Sequence, residues 1–170
     1  MPYWEPLTID GQTYDLAHLE PFEFQITPTQ SDVPATISVR FHDHCFTETF
    51  DPRKHTARIR TSQASLHEYR AFCLERYQLS FQLPQIIVGL DGKKVASTRE
   101  GNLVRITLAD GNTYPMFFTL RKARERRVEM FVVSAYIWER ENPPADTGEM
   151  KFNLAVAKVL KGEKPKFPRR

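Results

Sequence analysis

The sequence predicts an α+β fold with an N-terminal β-hairpin, one or two central helices and a C-terminal antiparallel sheet of about four strands. Two observations carry this prediction. Apolar and polar residues alternate near residue 25 and again beyond residue 100, as in half-buried strands, whereas helical spacing is confined to the middle of the chain. Strands and helices that occur in separate blocks are typical of α+β folds, because βαβ folds alternate them.

The composition is that of a folded domain: of 170 residues, 41% are hydrophobic and 26% are charged. This length favours one domain, which we place at residues 1–160, followed by a basic, mobile tail at 161–170. No apolar run approaches the roughly 20 residues of a membrane-spanning helix, and the first residues lack a signal-peptide pattern. We therefore expect a cytoplasmic protein without membrane contact, in which Cys45 and Cys73 stay reduced.

The N-terminal hairpin is predicted from two alternating segments. The first 25 residues have an irregular pattern with a turn at Asp10-Gly11. Phe22, Phe24 and Ile26 then alternate with polar residues, and a second strand is predicted from Ala35 to Phe50. The segment between them, 28–34, is short and rich in turn formers, so we expect the two strands to pair.

One short helical turn is predicted at residues 15–19, and the longer helical signals lie in the middle of the sequence. Ser65 and Glu68 have the spacing of a capping box, and apolar residues follow at helical spacing as far as Tyr77. A second short helix is predicted at residues 85–90 after Pro84. Asp51-Pro52 also has the pattern of a helix start, although the residues that follow are polar.

Four strands are predicted in the C-terminal half, at residues 103–108, 114–120, 128–138 and 150–160. The first two flank Asp110-Gly111, which is a strong hairpin signal. Pro115 indicates that the second of them begins at an edge or with a bulge. In the last segment, Phe152, Leu154 and Val156 alternate with polar or small residues.

Charge is distributed unevenly along the chain, and this points to a polyanion. The net charge is +3 overall, but residues 121–170 carry 13 basic against 7 acidic side chains. Five of the seven residues from 121 to 127 are basic, in a predicted loop between two strands. Such a loop can contact phosphates of a nucleic acid, or it can be an ordinary solvated loop. The candidate nucleic-acid-binding residues are Arg121, Lys122, Arg124, Arg126, Arg127, Lys161 and Lys164.

His42 and His44 are the candidate acid–base residues, since on a strand residues i and i+2 face the same side. They could instead be ordinary strand residues, or half of a metal site completed by Cys45 and Cys73. A zinc site normally shows two ligand pairs at short spacing and only one is visible, so we predict no metal. Ser134 and Tyr136 share a strand face, where they either pack in the sheet or orient a phosphate.

The C-terminal half resembles the ribonuclease toxins of the barnase, EndoU, colicin and RelE group. The shared features are a helical segment, a hairpin, a basic connection and the strand Met130–Ile137. BrnT-like members have a similar strand with a Ser-Ala-Arg sequence, whereas Tyr136 stands at the arginine position here. The resemblance covers roughly residues 65–160. It implies metal-independent RNA cleavage, with Arg121 or Lys122 stabilising the phosphate.

The same resemblance implies that His42 or His44 is the general acid or base and that Ser134 or Tyr136 orients the phosphate. Motifs of kinases, dehydrogenases, hydrolase triads and zinc ribbons are not present in the sequence. We therefore expect a toxin-type ribonuclease that needs no cofactor, binds RNA and has an antitoxin or other protein partner. The alternative is a non-catalytic module, from a phage or other mobile element, that binds nucleic acid or an acidic protein.

Overall fold

A computed structural model describes residues 1–61, 69–98, 101–138 and 148–165 of the chain. The N-terminal segment is more regular than the sequence predicted. Strands β1 (Leu7–Ile9) and β2 (Gln12–Tyr14) pair in antiparallel register around Asp10-Gly11. Both turn residues have positive φ, 50° and 81°, as a tight two-residue hairpin turn requires. A 3-10 helix, Ala17–Leu19, follows.

The predicted N-terminal hairpin is confirmed, although its second strand is shorter than expected. Strands β3 (Phe22–Ile26) and β4 (Ala35–Phe41) pair antiparallel. The chain then leaves the sheet in a 3-10 helix, Asp43–Cys45, and continues in β5 (Thr47–Thr49). The prediction of one strand from Ala35 to Phe50 is therefore wrong beyond Phe41, because Cys45 and Phe46 are fully buried in the core and turn the chain inward.

The central helices are shorter than predicted, and the first begins later. Predicted cap residues 65–68 lie outside the described ranges, and Arg70–Phe72 is strand β6, paired with β5. The buried Arg70 guanidinium donates to the hydroxyls of Thr47 and Thr49, which fixes this pairing. Helices α1 (Leu74–Ser80) and α2 (Leu83–Val88) follow, and Pro84 lies in the first turn of α2 as predicted. Residues 52–54 form a turn and not a helix.

The C-terminal half supplies most of the sheet. Its elements are β7 (Lys94–Thr98), β8 (Gly101–Thr107), β9 (Thr113–Arg124), β10 (Arg127–Ala135), β11 (Glu149–Lys151) and α3 (Phe152–Leu160). The hairpin between β8 and β9 is confirmed. The basic segment is not a loop: β9 runs through Arg124, and only residues 125 and 126 turn before β10.

The predicted strand at residues 150–160 is wrong, because all but its first two residues form helix α3. The buried side chains of this segment, Phe152, Ala155, Val156 and Val159, recur at helical spacing. They pack on the sheet, where the rings of Phe152 and Phe118 meet edge to face with centroids 6.1 Å apart.

One seven-stranded sheet joins the two halves of the chain in the order β11-β7-β8-β9-β10-β4-β3. The β4–β10 pair is parallel, and every other pair in this sheet is antiparallel. Val39, Phe41, Met130 and Val132 point into the core from these two central strands. The helices and most of the strands occur in separate blocks along the chain, so the α+β class is confirmed. No helix in the described ranges is long and apolar enough to span a membrane.

Candidate active-site cleft

The outer face of β4, β9 and β10, opposite the core, carries an open cleft of about 430 Å³. Residue parity explains which side chains reach it, because alternate residues of a strand face opposite sides. Arg40, Phe131 and Thr119 are register partners across the three strands. The residues that line the cleft are Tyr3, Arg40, Phe41, His42, Thr119, Arg121, Glu129, Met130 and Phe131.

Two guanidinium groups meet one carboxylate in this cleft. Arg121 donates through Nε to Glu129 Oε2 at 3.1 Å, and its Nη2 contacts the same oxygen. Arg40 Nη2 lies 3.9 Å from that oxygen. The hydrogen bond from Arg121 lowers the pKa of Glu129, which outweighs the small effect of burial. The cleft therefore holds a cationic pair around one carboxylate, with the Arg40 side chain about half exposed and the Arg121 side chain more so.

A second ion pair extends this polar face beyond the cleft. Arg127 Nη1 contacts the carboxylate of Glu23 and donates to Ser38 Oγ at 2.7 Å. Ser38 in turn donates to Glu23 at 3.0 Å. Arg127, a sequence-predicted phosphate ligand, is thus engaged with a carboxylate.

His42 lies at the rim of the cleft, at the point where β4 ends. Its backbone N–H donates to Val132 O at 2.9 Å, which prolongs the parallel pairing by one residue. Its Nδ1 accepts from the backbone N–H of His44 at 3.3 Å and so caps the 3-10 helix. The His42 ring meets the rings of Phe131 and His44 edge to face, with centroids 5.7 and 4.2 Å away. These contacts fix the orientation of the His42 ring, which also lines the cleft.

Asp43 lies behind His42 and is 1% exposed. Its Oδ2 accepts from Thr61 Oγ1 at 2.9 Å. Its Oδ1 lies 2.8 Å from His42 Nδ1 but receives no well-aligned hydrogen bond from any part of the chain that the structure describes. Burial alone would raise the pKa of this carboxyl group, but His42, Thr61 and the charge of His44 together lower it below its usual range. The result is a buried carboxylate directly behind an imidazole.

The structure brings His42 and Arg121 into one cleft, whereas the other candidate residues lie elsewhere. Tyr136 stacks on Phe117 and Trp138, and the Arg76 guanidinium lies 4.6 Å from its ring centroid. Ser134 is 9% exposed in β10, and neither it nor His44 lines the cleft. The exposed basic residues lie at the far end of the β9–β10 hairpin or after α3, namely Lys122, Arg124, Arg126, Lys161 and Lys164.

Sequence reasoning missed Arg40 and Glu129, which line the cleft, and Asp43, which lies behind His42. Arg40 could have been found, because strand parity places it on the same face as His42. Glu129 acquires its role only when β9 and β10 pair, since it is the register partner of Arg121. Nothing in the sequence assigned a role to Asp43, because an aspartate between two histidines is not a recognised motif.

Two other histidines have polar partners but face different surroundings. His18 Nε2 lies 2.7 Å from Ser80 Oγ, and this buried hydroxyl donates its own proton to Tyr77 O. The hydroxyl therefore accepts from His18 and is not activated as a nucleophile. His55 Nε2 lies 2.8 Å from a Glu48 carboxylate oxygen, while its Nδ1 accepts from the Asp51 N–H.

The fold and the site define an α+β protein with an open cleft that holds a histidine and two arginines, with a buried carboxylate behind the histidine. Residues 6–160 match the model of the YjaZ family. Because this match covers most of the 170 residues, the chain belongs to the YjaZ family. No significant match was found among curated proteins or among solved structures.

Proposed function

We propose that the protein is a metal-independent ribonuclease of the toxin type, which cleaves RNA in this cleft in the cytoplasm. One observation carries the proposal: His42, backed by the Asp43 carboxylate, shares the cleft with the guanidinium groups of Arg40 and Arg121. In phosphodiester cleavage a positioned imidazole can act as the general base, and two cations can stabilise the charge on the phosphate. Phe131 adds an aromatic surface on which a base can stack.

In the proposed reaction, His42 carries its proton on Nδ1, toward Asp43 Oδ1, and gives up the hydrogen bond that Nδ1 accepts from the His44 N–H. In this tautomer Nε2 accepts the proton of a ribose 2′-hydroxyl. The 2′-oxygen attacks phosphorus, the bond to the 5′-oxygen breaks, and the leaving oxygen takes a proton from water. The products are a 2′,3′-cyclic phosphate and a 5′-hydroxyl. Asp43, whose Oδ1 lies 2.8 Å from Nδ1, stabilises the imidazolium that forms. Arg40 and Arg121 stabilise the charge that develops on the phosphate.

Tyr3 is a further hydrogen-bond donor at the cleft. Burial raises the pKa of its phenol, with a smaller opposing effect of Arg40, so that the group stays protonated at neutral pH. Glu129, in contrast, is ionised and competes with the phosphate for Arg121. Binding of RNA therefore requires Arg121 to exchange a carboxylate for a phosphate oxygen.

Cleavage of RNA by the pure protein in EDTA tests this proposal. We expect wild type to leave 2′,3′-cyclic phosphate ends and His42→Asn to be at least about 100-fold slower, as for loss of a general base. Arg121→Ala should be slower as well. His55→Asn is the matched control, because His55 lies outside the cleft and pairs with Glu48. Intact RNA in all reactions, or equal rates for wild type and His42→Asn, would contradict the assignment.

The alternative proposal is a non-catalytic module that binds nucleic acid or an acidic protein through the end of the β9–β10 hairpin. The observation in its favour is that Lys122, Arg124 and Arg126 are exposed there, outside the cleft. Binding would then fall steeply with salt. It would survive His42→Asn and be lost when these three residues are changed to alanine. Binding of an antitoxin or other acidic protein partner would be tested with the same variants.

A further inference from the structure

We propose that His42, Asp43 and His44 form a binding site for a divalent transition-metal ion such as zinc. One ligand atom from each of these three side chains lies within 4.8 Å of the other two. This site goes beyond the ribonuclease proposal, and nothing in RNA cleavage requires it.

Consecutive residues converge here because the chain changes conformation between them. His42 ends the extended segment with φ −88° and ψ 154°, and Asp43 begins the 3-10 helix. In a continuing strand, Asp43 would face away from both histidines. In this turn its Oδ1 lies 2.8 Å from His42 Nδ1 and 3.8 Å from His44 Nε2. The turn thus aims three side chains at one point.

The Asp43 carboxylate has one oxygen left for a ligand. Asp43 is 1% exposed and its Oδ2 is occupied by the Thr61 hydroxyl, whereas Oδ1 has no well-aligned hydrogen-bond donor among the residues that the structure describes. An oxygen in that position, in a buried carboxylate, is costly unless a cation or donor satisfies it. His42 Nδ1 lies beside this oxygen, and its lone pair accepts from the His44 N–H. A metal ion would satisfy the Asp43 oxygen and would replace the His44 N–H at Nδ1.

The donor set selects the class of metal. Two imidazoles and one carboxylate suit zinc and neighbouring divalent transition metals, and they do not suit calcium or magnesium, which prefer oxygen ligands. Ligand atoms around tetrahedral zinc are about 3.4 Å apart, given bonds of about 2.0–2.1 Å, and the observed 2.8 and 3.8 Å lie on either side of this value. Both histidine side chains are about a quarter exposed. An ion and a water molecule can therefore reach the fourth position.

Metal binding would also affect the cleavage of RNA. This consequence rests on the proposed ribonuclease function. An imidazole that binds a metal through Nδ1 carries its proton on Nε2. His42 could then no longer accept the proton of a 2′-hydroxyl. We expect bound zinc to inhibit cleavage and EDTA to restore it.

Zinc binding to the whole protein, in the absence of RNA, tests the proposal. The protein is freed of metal with EDTA, exchanged into buffer and titrated with zinc chloride in a calorimeter. A parallel titration uses cobalt chloride, whose visible absorption reports tetrahedral coordination. We expect one equivalent of zinc to bind. His44→Gln and His42→Gln should each weaken binding at least tenfold, and His55→Gln, the matched control, should not.

The outcomes separate this proposal from the previous one. Equal zinc affinity in wild type and His44→Gln, with both proteins folded by circular dichroism, would overturn the metal site. Binding that is weakened equally by His55→Gln would overturn it as well, since the zinc would then be held elsewhere. Zinc binding at the triad without any RNA cleavage would support the metal site and remove the ribonuclease. Cleavage of RNA in EDTA without zinc binding would support the ribonuclease and remove the metal site.

Discussion

His18 shows how a single side chain couples stability to pH. Its ring stacks on Phe81 at a centroid distance of 3.7 Å, and its Nε2 lies 2.7 Å from Ser80 Oγ. Burial lowers the pKa of His18, and the charge of Asp15 only partly opposes this effect. Because the pKa is lower in the folded protein than in the unfolded chain, protonation of His18 favours unfolding.

We predict that the free energy of unfolding falls as the pH decreases from about 6.5, the ordinary pKa of histidine, through the lower pKa of folded His18. Above the unfolded pKa the contribution is fully present. In His18→Gln the fall over this pH range should be smaller. Urea denaturation of both proteins at several pH values measures the difference in slope. If the free energy of unfolding changed with pH by the same slope in both proteins, His18 would not contribute to the pH dependence of stability.

At the scale of secondary-structure elements, helix α3 is tied to two distant loops through Asn153. The Asn153 side chain accepts from the Gly92 N–H at 2.7 Å and donates to Thr27 O at 2.9 Å and to Asp91 at 2.7 Å. Its backbone carbonyl accepts from the Thr29 N–H. One side chain therefore satisfies groups that follow β3 and α2.

We predict that Asn153→Ala lowers the free energy of unfolding by about 1–3 kcal/mol, because it leaves several polar groups without partners. Asn112→Ala is the matched control, since within the described ranges the Asn112 side chain bonds to Asp110 in its own turn. Its effect should be clearly smaller. Chemical denaturation of the three proteins checks the order. An Asn112 variant as unstable as the Asn153 variant would refute this assignment.

The elements differ in how well the sequence predicted them, and the reasons are physical. The β8–β9 hairpin has a strong local turn signal and was predicted correctly. Helix α3 was not, because Phe152 and Val156 fit both an alternating and a helical pattern in so short a segment. The change of direction after Phe41 was missed as well. It depends on the burial of Phe46 in the core, which no local pattern reports.

On the scale of the whole molecule, sequence could identify His42 and Arg121 as candidates but not place them in one cleft. That proximity arises from the parallel pairing of β4 with β10, and β9 lies next to β10. The uneven distribution of charge along the sequence also did not show which charged side chains pair in the folded protein. The folded protein pairs Arg121 and Arg40 with Glu129, and Arg127 with Glu23.

We predict that Glu129→Gln strengthens RNA binding roughly two- to tenfold at low salt and steepens its salt dependence, because Arg40 and Arg121 are freed for phosphate. Glu125→Gln changes the net charge equally in the turn between β9 and β10, so it is the control for a general charge effect. Fluorescence anisotropy with labelled RNA at several salt concentrations measures both. Weaker binding by Glu129→Gln would mean that Glu129 positions the arginines for RNA instead of competing with it.

The parallel pair of β4 and β10 also bears on how the chain is made. During synthesis β4 leaves the ribosome early, but its partner begins only at Arg127, some 85 residues later. At about 5–20 residues per second, the N-terminal hairpin waits on the order of ten seconds with an unpaired edge. For that time the nascent chain is open to wrong strand partners and to chaperones. The cleft itself cannot exist until most of the protein has been translated.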